Sequence, residues 1–327
     1  MKSRLTALGT TLLIALASLL LGMPQASAAS GFHVQDGRLY DANGNEFVMR
    51  GVNHAHAWYP DELDSLGDIK AQGANTVRVV LSSGDQWNRT DANEVRDIVS
   101  RCKQNRLVCV LEVHDTTGYG DDSAAVDLQR AVEYWKSVQS ALDGQEKYVV
   151  VNLGNEPFGN DTASEWTGAT KQAIRSMRSA GFDHTLMADA PNWGQDWSNT
   201  MRNNAGEVLA ADPAGNTVFS VHMYGVYESA SKIRDYLSSF TERGLPIVVG
   251  EFGHKHSDGD PNEDAIMSTA QSLGVGYLGW SWSGNGEGVG YLDMTENFNA
   301  DNLTQWGERI FNGTDGIAAT AEEATVY

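Results

Sequence analysis

Short runs of apolar and β-branched residues recur along the chain, with segments of helical spacing between them. Eight runs follow one another: FVMRGVN, TVRVVL, LVCVLEVHD, YVVVNLGNEP, HTLMADAPNW, TVFSVHMYG, PIVVGEFG and VGYLGWSWSG. Their near-continuous apolar character is typical of parallel strands buried on both faces. The clearest helical segments are DELDSLGDIKAQGAN, DANEVRDIVSRCKQNR, VDLQRAVEYWKSVQSAL, TASEWTGATKQAIRSMRSAG and SASKIRDYLSSFTERG. This eightfold alternation predicts an α/β protein with a (β/α)8 TIM barrel.

An open doubly wound sheet is the alternative architecture. It is disfavoured because no G-x-G-x-x-G follows the first strand and the chain contains no P-loop. Ahead of the first barrel strand, FHVQDGRLYDANGNEFVMRG carries the turn signals DG and NG, which predict a short N-terminal β-hairpin. At the other end, residues 313–327 lose all periodicity, so this tail is either a closing helix or a loose segment.

The first 28 residues have the pattern of a cleavable signal peptide. Lys2 and Arg4 precede the apolar run LTALGTTLLIALASLLLG, and Ala26–Ala28 (ASA) supplies the small residues of a cleavage site. A membrane anchor is the alternative interpretation of this run. We expect export and cleavage, which leave a catalytic domain over residues 29–312 and no membrane segment, because no second run is long enough to span a bilayer.

The charge balance limits the partners that the protein can have. The formal net charge is −20, and loss of Lys2 and Arg4 with the leader makes it −22. Such an acidic surface argues against binding to nucleic acid or to anionic membranes. It fits a neutral ligand and a protein that must stay soluble outside the cell, and solubility alone is enough to explain it. We expect a secreted, extracellular monomer.

Two cysteines, Cys102 and Cys109, lie in RCKQNRLVCVLEVHD. They fall at the end of a predicted helix and in the strand that follows it. Because an exported protein meets oxidising conditions, we expect a disulfide between them. Two buried free thiols are the alternative.

Polar and aromatic residues accumulate where the predicted strands end, which is where the reactive groups of a TIM barrel lie. Taken one at a time, these residues have structural explanations. His114 fits a buried core histidine, and Trp280 fits simple packing within the barrel. Arg78 within VRVV is harder to explain in this way, because a buried guanidinium requires an acidic partner. The set consists of Asn53, His54, His56, Arg78, His114, Asp115, Asn155, Glu156, Asn192, Trp193, His222, Tyr224, Glu251, Trp280 and Trp282.

Two carboxylates stand out in this set, Glu156 at the end of the fourth strand and Glu251 at the end of the seventh. We expect them on opposite sides of one bound substrate. Hydrolysis of a glycosidic bond needs such a pair, one to protonate the leaving oxygen and one to meet the oxocarbenium-like centre. We expect Arg78 and Tyr224 to hold Glu251 ionised, and an apolar wall to keep the proton on Glu156.

The motifs NLGNEPFGN, VVGEFGHKH and GWSWSGN, with Arg78, His114 and HMYG in order, resemble glycoside hydrolase family five over residues 31 to 312. The longer stretches RGVNHAHAWYPDEL, LEVHDTTGYGDD and GEFGHKHSDGDPNEDAI most resemble the bacterial secreted β-mannanases of that family. The resemblance implies a secreted endo-β-1,4-mannanase that acts on mannan, glucomannan and galactomannan with retention of configuration.

The resemblance also implies roles for individual residues. Glu156 is expected to be the general acid/base and Glu251 the nucleophile. Asn155 is expected to hydrogen-bond the 2-hydroxyl of the sugar at the cleavage point, with Arg78 and Tyr224 orienting Glu251. His114 and His222 would hold the sugar or the acid/base, and Trp280 would form the floor under that sugar. The weaker candidates for outer sugar contacts are Trp58, Trp193 and Trp282.

Three other functions are alternatives to a mannanase. An endo-β-1,4-glucanase needs the same two carboxylates, so the core motifs do not separate it from a mannanase. A metal-dependent amidohydrolase is suggested by His54 and His56, but the strand ends lack the lysine, histidine and aspartate that this class requires. A catalytically silent sugar-binding protein would need a broken carboxylate pair, and both members are present.

We expect no cofactor and no catalytic metal. The acidic loop HSDGDPNEDA after the seventh strand contains Asp258, Asp260, Glu263 and Asp264. A structural calcium ion is one interpretation of this loop. A solvated run of charges is the other.

Overall fold

The computed structural model describes residues 31–327, so the predicted signal peptide over residues 1–28 lies outside the described residues. The described chain begins with the predicted hairpin, in which β1 (His33–Gln35) pairs antiparallel with β2 (Arg38–Tyr40). Asp36 and Gly37 form its turn with positive φ of 49° and 74°, a conformation that the DG signal predicts.

Eight parallel strands then close into a barrel, and each corresponds to one of the eight apolar runs. The (β/α)8 prediction is confirmed. The strands are β3 (Arg50–His54), β4 (Thr76–Leu81), β5 (Val108–Val113), β6 (Val149–Asn152), β7 (Thr185–Asp189), β8 (Thr217–Met223), β9 (Ile247–Phe252) and β10 (Gly276–Gly279). Strand β10 pairs with both β9 and β3, which completes the ring.

Helices cover the outside of the barrel, and the five predicted helical segments are all helical. The helices are α1 (Ser65–Ala71), α2 (Ala92–Gln104), α3 (Leu128–Leu142), α4 (Trp166–Ser179), α5 (Thr200–Ala210), α6 (Ala230–Thr241), α7 (Glu263–Leu273), α8 (Gln305–Asn312) and α9 (Ile317–Thr320). Helix α2 shows why such a sequence forms a helix. The side chain of Asp91 caps its first amides, and Val95, Ile98, Val99 and Cys102 form the buried stripe at helical spacing.

A second hairpin, not predicted from the sequence, precedes α8 and pairs β11 (Thr295–Glu296) with β12 (Asn299–Leu303). The end of the chain is neither just a helix nor a loose tail. After α9, Thr325 donates its amide to Asp41 at 2.8 Å, and the hydroxyl of Tyr327 donates to the carbonyl of Leu107 at 2.5 Å. The last residues therefore contact Asp41, which follows the hairpin, and Leu107, which precedes β5.

Side chains alternate along each barrel strand between the helical layer and the barrel interior. On β5, Cys109 and Leu111 pack towards the helices, whereas Val108 and Val110 belong to the interior cluster. The next interior position, Glu112, is charged. Interior side chains also change from apolar to polar along other strands, so a fully buried polar layer lies above the apolar one. This polar layer contains Asn53, Arg78, Glu112, Asn152 and Asp189. This polar layer is the base of the site described below.

Cys102 on α2 and Cys109 on β5 meet in the layer between helices and barrel. Their Sγ atoms lie 2.7 Å apart, and both residues are buried free cysteines in the structure. The two cysteines meet as predicted, and a disulfide between them stays a prediction. Within residues 31–327, none of the helices has the length and apolar character that crossing a bilayer requires.

Candidate active site

A cavity of about 550 Å³ opens at the C-terminal ends of the barrel strands. Arg78 and His222 lie beneath it and are fully buried. Seven of the predicted site residues contribute to its walls: Trp58, His114, Asn155, Glu156, Tyr224, Glu251 and Trp280. The structure therefore brings nine of the eleven predicted residues together at one rim.

Glu251, on β9, is held from two sides. Arg78 Nη1 donates to its Oε1 at 2.8 Å, and the Tyr224 hydroxyl donates to its Oε2 at 2.8 Å. Burial raises the pKa of Tyr224 well above its usual value, so its hydroxyl remains a donor. The carboxylate is thereby fixed in orientation by two donors, as the sequence analysis expected.

Arg78 is the centre of the polar layer. Besides Glu251, its guanidinium donates to Asp189 Oδ2 at 3.0 Å and to Asn155 Oδ1 at 2.7 Å. Its remaining donors reach the side-chain oxygens of Asn152 and Asn53, at 3.0 and 2.9 Å. Every branch of the guanidinium is thus paired, which is the condition under which a buried cation is tolerated.

Glu156 follows β6 on a segment with unusual backbone geometry. Its φ is +39°, in the left-handed region that a residue with a side chain rarely adopts. The segment is fixed by hydrogen bonds from Thr116 Oγ1 to the Asn155 carbonyl at 2.6 Å and from the Gly118 amide to the Glu156 carbonyl at 2.9 Å. These hydrogen bonds hold the strained backbone of Glu156 in the conformation that directs its side chain into the cavity.

His222 connects the two glutamates. The register of β8 and β9 shifts between Val221 and His222, which pairs His222 with Glu251. Its Nδ1 lies 2.7 Å from Glu156 Oε1 and 3.5 Å from Glu251 Oε2. Burial alone would lower the pKa of His222, but the charges of Glu251 and Asp189 raise it to about 10. The ring is therefore an imidazolium at neutral pH, and Nδ1–H donates to Glu156.

These contacts change the expected electrostatics of the two carboxylates. Glu156 was expected against an apolar wall, but its carboxylate accepts a hydrogen bond from His222 instead. Glu251 was expected to be held simply ionised. Burial in fact raises the pKa of Glu251, and the positive charges of His222 and Arg78 oppose that rise. His222 thus contacts both carboxylates, whereas Arg78 contacts only Glu251 of the two.

Asp189, at the end of β7, was missed in the sequence. Its Oδ2 lies 3.3 Å from His222 Nε2, and it also accepts from Arg78 and, at 3.3 Å, from the Glu156 backbone amide. Burial would raise the pKa of Asp189, but His222 and Arg78 lower it to about 2. It is therefore the ionised partner of both buried cations. Glu112, whose Oε1 lies 2.9 Å from His114 Nδ1, was missed as well.

Asn155, His114 and Trp280 form the part of the cavity beside Glu251. Asn155 donates from Nδ2 to Thr117 Oγ1 at 2.9 Å, which fixes the direction of its amide. The rings of His114 and Trp280 stack with centroids 5.7 Å apart, and Trp280 Nε1 donates to Asn285 Oδ1 at 2.7 Å. The protein holds the polar edge of Trp280, and the part of the ring that lines the cavity can make an apolar contact with a ligand.

The three weaker tryptophan candidates have different positions. Trp58 lines the cavity, with its ring edge-on to His114 at 5.0 Å. Trp193 lines a second cavity that adjoins the first at Glu156. Trp282 is a wrong prediction: it is fully buried and packs edge-on against Phe311 at 5.9 Å. Because β10 ends at Gly279, strand alternation does not carry Trp282 to the face of Trp280.

The metal-dependent alternative finds little support in this geometry. His54 and His56 are buried outside the walls of the cavity, and His56 Nε2 contacts Glu94 Oε1 at 2.9 Å. Within residues 31–327, only Glu156, His222 and Glu251 bring three ligand atoms within 4.8 Å of one another. In the acidic loop, Asp258 contacts Gln195 and Asp264 contacts Arg309. The calcium site stays a prediction.

The separation of the two glutamates indicates the chemistry. One oxygen of each lies within 4.8 Å of the other. Retaining glycosidases keep their carboxyl groups about 5–5.5 Å apart, whereas inverting enzymes separate them by about 6.5–9.5 Å to admit a water. The pair therefore has the short spacing in which one carboxylate attacks the sugar directly.

Comparison with known proteins agrees with this geometry. The sequence profile described as "Cellulase (glycosyl hydrolase family 5)" matches residues 40–286. The chain belongs to glycoside hydrolase family 5. Within this family it is 62% identical to mannan endo-1,4-beta-mannosidase of Streptomyces lividans, over 97% of this chain and 82% of that protein. It is 50% identical to the enzyme of the same name from Cellvibrio japonicus, over 97% of this chain and 74% of that protein.

A solved structure of a β-mannanase is also similar. The mannohexaose complex of Thermomonospora fusca beta-mannanase has 59% sequence identity and a TM-score of 0.88. The match covers 90% of this chain and 99% of that one. The similarity thus extends over the barrel as a whole.

Proposed function

We propose that the protein is an endo-acting β-1,4-mannanase that hydrolyses internal mannosidic bonds of mannan, glucomannan and galactomannan with retention of configuration. The observation that carries the proposal is the pair Glu156 and Glu251, with carboxylate oxygens within 4.8 Å at the base of an open cavity. The identity of 62% and 50% to two mannan endo-1,4-beta-mannosidases supports mannan as the substrate.

In the first step, Glu251 is the nucleophile. Its orientation is set by Arg78 and Tyr224, so that one oxygen attacks the anomeric carbon while the other keeps its donor. Glu156 accepts the hydrogen bond from His222 at Oε1 and carries its proton on the other oxygen. It gives this proton to the glycosidic oxygen, and the leaving part of the polysaccharide departs. A covalent glycosyl ester on Glu251 remains.

In the second step, Glu156 acts as a base. Now ionised, it takes a proton from a water molecule that attacks the ester, and Glu251 is released. The His222 imidazolium, 2.7 Å from Glu156, stabilises the carboxylate formed between the steps. Arg78 and Tyr224 resume their bonds to Glu251, and the cycle can repeat.

Substrate positioning falls to the residues beside Glu251. Trp280 is the apolar floor under the sugar at the cleavage point, and Trp58 and His114 continue the wall. The second amide hydrogen of Asn155 is assigned to the 2-hydroxyl of that sugar, since the first is donated to Thr117. A cavity open along the rim accommodates a polymer, which is the basis for internal cleavage.

We further propose that the protein is secreted and acts as a monomer without a cofactor. Export rests on the pattern of residues 1–28. A monomer is supported by the surface, since Trp197 is the one large apolar side chain exposed among residues 31–327.

The test is release of reducing sugar from glucomannan, galactomannan and carboxymethylcellulose, side by side. The two mannans should be cleaved and carboxymethylcellulose should be cleaved far more slowly. Glu251→Gln serves as the control for contaminating activity. Faster cleavage of carboxymethylcellulose would make the protein an endo-β-1,4-glucanase, and loss of activity with a chelator would favour a metal enzyme.

A further inference from the structure

Glu112, on β5, is a buried carboxylate that has no part in the catalytic steps described above. Its side chain is fully buried in the polar layer beneath the cavity. Its one hydrogen-bond partner within residues 31–327 is His114, whose Nδ1 lies 2.9 Å from Glu112 Oε1, and Glu112 Oε2 has none. A buried carboxylate with a single hydrogen bond is costly to the fold, so stability does not explain why this position is charged.

Arg78 does not account for this carboxylate either. Arg78 Nη1 lies 3.8 Å from Glu112 Oε1, which is too long for a hydrogen bond. The guanidinium already contacts Glu251 and Asp189, at 2.8 and 3.0 Å, so its charge is compensated without Glu112.

The charges around the nucleophile are also balanced without Glu112. Two are positive and two are negative: Arg78, His222, Asp189 and Glu251. Glu112 adds a further negative charge, and the group in contact with it is the ring of His114. A buried charge requires a countercharge, which a protonated His114 supplies.

The electrostatics of the ring agree with this pairing. Burial would lower the pKa of His114, but the charge of Glu112 and the hydrogen bond between them raise it above its usual value. The other charged groups that face the ring act in opposite senses. Glu251 on β9 raises this pKa further, and Arg78 on β4 lowers it.

Three indole rings surround the ring of His114. Trp58 and Trp87 have centroids 5.0 and 5.7 Å from it, and Trp280 stacks on it at 5.7 Å. None of the three carries a titratable group. The Nε2 of His114 makes no hydrogen bond within residues 31–327 and is open to the cavity that His114 lines. The ring is therefore held with Nδ1 on the carboxylate and Nε2 towards the cavity.

We propose that Glu112 is a positioning residue for the cleavage reaction: it holds His114 as an imidazolium whose Nε2–H is a charged donor to a hydroxyl oxygen of the sugar over Trp280. This step rests on the proposed function. A charge-assisted hydrogen bond is stronger than one between neutral groups, so it holds that sugar more firmly against Glu251. Because Glu112 is the countercharge, the pair adds no net positive charge beside the oxocarbenium-like transition state.

NMR of the full-length protein, with ¹³C in its histidine rings, measures the charge of His114 directly. The chain contains 8 histidines, and His114→Gln identifies the signal of this ring by its absence. In the unmodified protein the signal should titrate above the usual histidine pKa of about 6.5. Glu112→Gln keeps an oxygen that accepts from Nδ1 but removes the charge, so the midpoint should fall by about 1–3 pH units. A midpoint at or below about 6.5 in the unmodified protein would overturn the proposal.

The effect on catalysis is measured with mannohexaose over a range of pH. The pH dependence of kcat/KM reports the ionisation of the free enzyme, as the NMR titration does. The ratio of kcat/KM between the unmodified protein and Glu112→Gln should reach about tenfold between the two midpoints, where only the unmodified ring is protonated. Outside the two midpoints the ratio should approach one. A constant loss at every pH would reduce Glu112 to a structural role and overturn the proposal.

Two further variants control for a change in structure. Glu112→Asp keeps the charge and should lower the midpoint of His114 less than Glu112→Gln does. When Glu112→Gln is combined with His114→Gln, it should add no pH-dependent loss, because the titrating ring is absent; a pH-dependent loss in this double variant contradicts the proposal. Failure of the unmodified protein to cleave mannohexaose would refute the proposed function, whereas the NMR midpoints would still decide whether Glu112 keeps His114 charged.

Discussion

Asp189 and His222 form a buried ion pair inside the barrel, with Asp189 Oδ2 3.3 Å from His222 Nε2. The opposite nitrogen of the ring, Nδ1, lies 2.7 Å from Glu156 Oε1. Asp189 thus acts on the proton donor through the imidazole, and on Glu251 through Arg78. It is a positioning residue, because it lines neither cavity beside Glu156.

Asp189→Asn should change the pH dependence of catalysis. The negative charges of Glu251 and Asp189 raise the pKa of His222 to about 10, against the effect of burial. Removal of one of these charges lowers that pKa, so the imidazolium loses its proton at a lower pH. The alkaline limb of the kcat/KM profile should therefore move to lower pH, and kcat at neutral pH should fall about 100-fold.

A matched control separates this effect from a loss of structure. Asp115 is also a buried aspartate at the end of a barrel strand, but it accepts hydrogen bonds from Ser83 and Gln86 in a neighbouring loop. Asp115→Asn should lower the unfolding temperature without moving the alkaline limb. A uniform loss of activity at every pH in Asp189→Asn would reduce its role to packing.

Glu251→Ala should abolish hydrolysis of mannans, because no group remains to form the glycosyl ester. The cavity left by the side chain admits a small anion, so azide should restore turnover of an activated aryl mannoside. The product should be an α-glycosyl azide, since azide attacks once from the face that Glu251 occupied. Proton NMR of the product gives its configuration. A β-configured azide would contradict the assignment of Glu251 as nucleophile.

Glu156→Ala should separate the two chemical steps. A leaving group such as dinitrophenolate needs no proton, so the first step should remain fast and release one equivalent in a burst. The second step lacks its base and should be slow. Stopped-flow absorbance measures both phases. Comparable loss of the burst with good and with poor leaving groups would be inconsistent with an acid/base role.

The barrel and most of its site could be predicted from the sequence because each has a local signal. A parallel strand that is buried on both faces has a nearly continuous apolar sequence, whichever strands it pairs with. Arg78 stood out because a charge within VRVV must find an acidic partner, and the structure supplies Glu251 and Asp189. Glu156 and Glu251 stood out because each ends such a run.

The residues that were missed lack a local signal. Asp189 ends TLMAD, where an aspartate is equally typical of a turn, and only the closed barrel places it against His222. Glu112 occupies an interior position of β5 that is indistinguishable in sequence from a position facing the helices. Trp282 was wrongly assigned to the site because it lies two residues after Trp280. Two-residue spacing places side chains on the same face only within a strand, and β10 ends at Gly279.

Away from the site, Arg178 and Asp212 form a buried ion pair beneath the C-terminal end of α4. The contact has two parallel hydrogen bonds of 2.9 and 3.0 Å, and both side chains are almost completely buried. Arg178→Met leaves Asp212 as an uncompensated buried charge. We expect a loss of about 3–5 kcal/mol in the free energy of unfolding at pH 7, measured by denaturant titration.

The size of that loss should depend on pH. Burial would raise the pKa of Asp212, but Arg178 and Thr217 lower it, so its contribution is present above the usual carboxyl range and is lost in acid. The difference in the free energy of unfolding between the unmodified protein and Arg178→Met should therefore become smaller as the pH falls below about 4, where Asp212 of the variant is protonated. Lys171, on the same helix as Arg178, forms a more exposed pair with Glu207 of α5, and Lys171→Met should cost less than about 1 kcal/mol. If both variants lose the same amount, or the difference does not change with pH, the stabilisation does not come from the charge of Asp212.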